Sequence, residues 1–183
     1  MASPFDDVTH VGNRLELLTD DTLIDRMDSV ELTLHHPVPR DVAIVHDKPW
    51  EGNICFYHTV MRDDNLFRMY YRGAHYDNVS EATIGKQVVC YAESDDGITW
   101  RKPNLNLIEF EGSKANNIIW DTEPESHNFA PFKDANPDCP PEQRYKALGG
   151  NNQGLHAFQS ADGIHWSRLQ EDYAITEGAF DSQ

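Results

Sequence analysis

The sequence predicts an all-β protein assembled from repeated four-stranded antiparallel units, and three observations carry that prediction. First, a seven-residue motif occurs twice: Ser94-Asp95-Asp96-Gly97-Ile98-Thr99-Trp100 and Ser160-Ala161-Asp162-Gly163-Ile164-His165-Trp166 agree at five positions and start 66 residues apart. Second, each copy follows a β-rich run, QVVCYA at 87–92 and LHAFQ at 155–159. Third, each of those runs follows a basic-aromatic stretch ending in glycine, LFRMYYRG at 66–73 and RYKALGG at 144–150. A unit repeated at this spacing is a supersecondary element that buries its faces against its neighbours.

Taken in order, residues 20–28 (DDTLIDRMD) open with capping residues and predict a short helix, with less than a tenth of the chain helical overall. Residues 30–34 predict a strand, and 35–40 (HHPVPR) an extended Pro-rich passage. Residues 53–61 (NICFYHTVM) and 127–132 (HNFAPF) predict the first strand of each unit. The stretches 74–86 and 135–143 are polar or Pro-rich and predict loops at matching places, and 102–122 predicts a further insertion. In the motif, Asp-Gly supplies a turn with positive φ, Ser and Asp bond nearby amides, and Trp restarts a strand. Trp100 and Trp166 are expected to be largely buried at equivalent places. Four antiparallel strands per unit, closed by a repeated hairpin, describe the blade of a β-propeller. The expected boundaries are an N-terminal extension over 1–40, blade one at about 41–110, blade two at about 111–176, and the start of a third at 177–183.

Composition narrows the function classes. The chain has 183 residues, 39% hydrophobic and 10% aromatic, a globular composition. A net charge of −16, from 31 acidic against 15 basic residues, repels polyanions and argues against nucleic acid as partner. No run approaches the roughly 20 apolar residues that cross a bilayer, so no membrane partner is expected. A cytoplasmic location is the default, with secretion the expectation if a leader precedes this start. Cys55, Cys90 and Cys139 are odd in number and widely spaced, and predict neither a disulfide framework nor a zinc site. His35-His36 reads as a loop pair and no metal or other cofactor is expected.

The two hairpins, FRMYYRG at 67–73, FKDANPDCPPEQRYKALGG at 132–150 and GAFDSQ at 178–183 together resemble the five-bladed propeller glycoside hydrolases, in particular relatives of families 32 and 43. The resemblance covers residues 41–183. It implies a truncated propeller of about two and a half blades that self-associates through its incomplete edge, and a glycosidase that cleaves a poly- or oligosaccharide and is complete only with the missing blades. In such enzymes the acids sit on the innermost strand of each blade, lining the central cavity. The strand starts here are Trp50-Glu51-Gly52-Asn53, Glu125-Ser126-His127-Asn128 and Glu177-Gly178-Ala179-Phe180-Asp181. Glycoside hydrolysis needs one carboxylic acid and one carboxylate roughly 5 to 9.5 Å apart. The candidates are Asp181, Glu51, Asp134 and Asp47, with Asp134 expected as a charge-setting third beside Asp181 and Glu51 and one of the three held protonated by mutual repulsion. Trp50 is a candidate sugar platform, and His127, Asn128 and Gln183 are candidate contacts to substrate hydroxyls. The competing expectation is a propeller that binds carbohydrate or protein without catalysis.

Overall fold

The structure is a computed structural model that describes residues 9–178. The chain divides into two compact units, Met1–Arg40 and Asp41–Gln183. In the first, the described residues form neither helix nor strand. The helix expected at 20–28 is a turn instead: Asp20 Oδ1 accepts the Thr22 amide and Ile24 N–H bonds Asp21 C=O. A nine-residue helix is marginal without packing, and Leu23 and Met27 are both exposed. Residues 30–34 form no strand, because no ladder partner reaches them among the described residues.

Among its described residues the second unit is all-β, with two four-stranded antiparallel sheets and three single 3-10 turns. The first sheet is a meander of β1 (Ile54–Asp63), β2 (Leu66–Asp77), β3 (Ala82–Ser94) and β4 (Ile118–Trp120). The second repeats it with β5 (Ala130–Lys133), β6 (Tyr145–Asn151), β7 (Gly154–Ser160) and β8 (Ser167–Arg168). Among the described residues no helix is long and apolar enough to cross a membrane.

The duplicated motif forms the same turn twice. Ser94 Oγ accepts the Gly97 amide at 2.9 Å, as Ser160 Oγ does from Gly163. Asp96 Oδ1 accepts the Ile98 and Thr99 amides, as Asp162 Oδ1 does from Ile164 and His165. Both glycines have φ +76°, a conformation an L side chain resists. The preceding pairs match too, Phe67 opposite Ser94 and Tyr145 opposite Ser160.

Three expected boundaries move. β2 and β3 run on through the stretch expected as a loop, pairing His75 with Ile84 and turning where Asp77 caps Val79 and Ser80. The fourth strand does not restart at Trp100: Arg101 makes one bridge to Glu93, and the chain then makes an excursion before β4 pairs Trp120 with Val89. The first sheet therefore ends at Trp120, beyond residue 110. The second sheet shortens the same path, bridging Leu155 to Ile175.

The sheets pack face to face. Tyr70, Val89, Tyr91 and Ile119 of the first meet Phe129, Ala147 and Phe158 of the second, and Tyr70 Oη donates to Gly163 C=O at 2.9 Å. On the far face of the first sheet Met69, Tyr71, Val88, Cys90 and Ile118 are buried under Ile44, Trp50, Trp100 and Phe110. Trp100 and Trp166 each pack against the cluster on one face of their own sheet, but each is half-buried and not largely buried as expected.

Candidate functional site

Both sheets place a glutamate in a 3-10 turn just before the first strand. In Pro49–Glu51, proline presets φ at the first position and Gly52 follows at φ +70°. A Cβ at Gly52 would lie 2.0 Å from Ala74 C=O, so only glycine lets the turn close on β2. The Glu51 carboxylate, fully buried, is enclosed by donors: Lys102 Nζ at 2.6 Å, Tyr71 Oη at 2.6 Å and the Lys48 amide at 2.8 Å. Burial pushes this carboxyl up, but Lys102, Tyr71 and the Lys48 amide more than offset it and hold the group below the usual carboxylate range. The second sheet repeats the pair. Glu125, in the turn Glu125–His127, is fully buried and ion-paired to Arg168, with His156 Nε2 at 3.6 Å. Arg168 lies 66 residues after Lys102, the spacing of the hairpin motif.

Beside Glu51, β1 contains a bulge. Phe56 pairs with Arg72 and Thr59 with Tyr70, so Tyr57 and His58 together oppose Tyr71. Tyr57 sits at φ +55°, a left-handed conformation uncommon for a bulky residue and concentrated at sites where side chains must be re-aimed. The bulge sends its two side chains to different clusters. His58 stacks on Tyr71, with planes 10° apart, and its Nε2 lies 3.0 Å from His46 Nε2; His46 Nδ1 in turn lies 3.4 Å from Glu51. With the His46 Nδ1 proton directed at Glu51, His46 Nε2 accepts from His58 Nε2–H. Desolvation, and then the neighbouring His46, favour the neutral form of His58.

Tyr57 joins the second cluster, which links the sheets. Its ring lies 5.0 Å from the Arg72 guanidinium carbon and 5.7 Å from the His127 ring. Arg72 is buried, donates through Nη1 to Gln87 Oε1 and His127 Nδ1, and has Phe56 on another side at 5.3 Å.

The expected site residues separate. Asp47 is exposed and shared between Lys48 and Lys102, its carboxyl lowered chiefly by the Lys48 hydrogen bond. Trp50, expected as a sugar platform, packs half-buried on the far-face cluster, edge-on to Phe110, and donates its indole N–H to Asn117. His127 reaches the Arg72 cluster, whereas Asn128 is buried and accepts the Gly150 amide. Asp134 follows the last residue of β5, paired to Lys146 at 2.6 Å, and lies on the flank where Asp63, at the end of β1, meets Lys133. Glu51 lies beyond the opposite end of β1, with the length of that strand between them. Asp134 therefore does not stand beside Glu51, and the Lys146 bond, with that from the Asn136 amide, holds its carboxyl at about 2 instead of raising it. Asp181 and Gln183 lie outside the described residues.

Arg72, Tyr57, His58, His46, Lys102 and Arg168 join these clusters without having been expected from the sequence. A bulge carries no side-chain signature, so nothing marked Tyr57 and His58. Lys102 and Arg168 were findable, since carrying the 66-residue spacing past the motif aligns two bases. Among the described residues no group of His, Cys, Asp and Glu has the arrangement to hold a metal ion. Comparison with protein-family models, curated proteins and solved structures finds no match.

Proposed function

We propose that this chain is part of a β-propeller that acts on a glycan as a glycoside hydrolase, each sheet forming one blade. The propeller reading is supported by the two sheets sharing a hairpin, a buried Glu-base pair and a common core. The observation that carries the functional reading is the strained bulge, which turns Tyr57 over Arg72 and beside His127 where the first strands begin. An aromatic face beside polar donors suits a sugar ring, whose C–H side stacks and whose hydroxyls accept and donate. Asp181, in the stretch GAFDSQ, is proposed as one of the two carboxyl groups the reaction requires. Glu51 is assigned a positioning role, because a carboxylate engaged by Lys102, Tyr71 and an amide has no proton to give.

A second reading, carbohydrate binding without hydrolysis, is favoured by the ion pairs that occupy Glu51, Glu125 and Asp134. The decisive experiment incubates the complete propeller that contains this chain, and its Asp181→Asn variant, with plant, algal and microbial oligosaccharides, following reducing ends and, by calorimetry, binding. Hydrolysis that falls by at least about a hundredfold in the variant, with binding retained, is the expected result. Binding without hydrolysis selects the second reading, and absence of both overturns the proposal.

A further inference from the structure

We propose that Arg72 is a recognition point for an anionic substituent on the glycan, a uronate carboxylate or a sulfate ester, and this inference rests on the carbohydrate reading above. Its basis is a contrast within the molecule. Among the described residues, every other buried or half-buried lysine or arginine meets a carboxylate: Arg68 and Lys133 meet Asp63, Lys102 meets Glu51, Lys146 meets Asp134 and Arg168 meets Glu125. Arg72, 5% exposed, meets none. This is an unexpected omission in a chain with 31 acids and a net charge of −16. The partners it does have are neutral or aromatic, namely Gln87, His127, Phe56 and Tyr57. Its Nε is buried without a hydrogen-bond partner.

Desolvation of a guanidinium without a counter-charge is unfavourable, and two aromatic rings compensate only in part. Burial accordingly lowers the Arg72 pKa, the opposite direction from its paired neighbour Arg68. A ligand anion would supply the missing charge, and a carboxylate or sulfate matches the fork of Nε and Nη donors in a way a hydroxyl does not. The guanidinium also lies at the right place. Phe56 is 51% exposed, and Tyr57 and His127 are half-buried, so the cluster opens to solvent at these side chains. A sugar stacked on Tyr57 would bring its ring substituents within reach of Arg72.

The test titrates the full chain and Arg72→Gln, at one ionic strength, with three sets of oligosaccharides: oligouronates, sulfated galactan fragments and neutral glucans. Wild type is expected to bind one anionic class at least about tenfold more tightly than the neutral one, and the class that binds identifies the substituent. Arg72→Gln is expected to lose that preference, its affinity for the anionic class falling to that for the neutral one. Equal wild-type affinity for charged and neutral oligosaccharides overturns the proposal even if the variant fails to fold, and so does a preference that survives in Arg72→Gln. A thermal-shift arm with free glucuronate, glucose and sodium sulfate separates the two levels of argument. Stabilisation of wild type but not Arg72→Gln by glucuronate or sulfate, with no oligosaccharide bound, keeps the anion site and rejects the glycan reading; no response in any arm rejects both.

Discussion

Glu51 and Lys102 form a buried pair whose members depend on each other. Removing one leaves the other charge buried and unmatched, which costs on the order of 3–5 kcal/mol. Glu51→Gln and Lys102→Met are each expected to lower the unfolding free energy measured in urea by that order, with the double variant recovering part of the loss. Additive losses in the double variant would show that the pair is not a unit. Asp63 makes a pH-dependent contribution. Burial pushes its carboxyl up, but Lys133, Tyr145 and Arg68 outweigh burial and hold it at about 2. A depressed folded pKa gives stability that is complete above the unfolded value near 4 and is lost as pH falls toward about 2. The Asp63 share is about 2 kcal/mol. Asp63→Asn should therefore melt with a shallower pH dependence between pH 4 and 2 than wild type; equal slopes would remove Asp63 as the cause.

At the scale of elements, the two hairpins share one hydrogen-bond pattern but not one environment. A Cβ at Gly97 would meet only the Phe67 ring at 3.4 Å, whereas at Gly163 it would meet Tyr70 Oη at 2.8 Å. Gly97→Ala is expected to cost about 1–2 kcal/mol through its positive φ. Gly163→Ala should cost at least about 1 kcal/mol more, because it also disturbs the bond from Tyr70 to Gly163 C=O. Chemical denaturation of both variants tests the order, and equal losses would contradict the contact. The hairpins were legible from sequence because Ser, Asp and Gly satisfy the turn within four residues. β4 was not, since its three residues become a strand only when the excursion after Arg101 returns them to Val89 and Cys90.

At the scale of the whole second unit, one cluster is built from both sheets, so neither sheet completes its core alone. Phe158, fully buried against Trp120 and Phe129, stands at its centre. Phe158→Ala should cost about 3–5 kcal/mol and lower the melting of both sheets together. Near-ultraviolet and far-ultraviolet circular dichroism are expected to give coincident transitions in wild type and variant. Separate transitions would mean that the sheets fold independently.

The sequence by itself determined the all-β class, the two four-stranded units and the turns that close them, because local hydrogen bonds and residue-type runs encode them directly. It also located the glutamates before each first strand. The tertiary structure alone decided their roles. Glu51 and Glu125 are recognisable as ion-paired only when chains dozens of residues apart bring Lys102 and Arg168 to them, and Asp134 is separated from Glu51 by the length of a strand. The Arg72 cluster likewise requires a bulge in β1, a register between β1 and β2, and a second sheet that presents His127. Each is a non-local fact, fixed by packing between segments whose sequences carry no mark of one another.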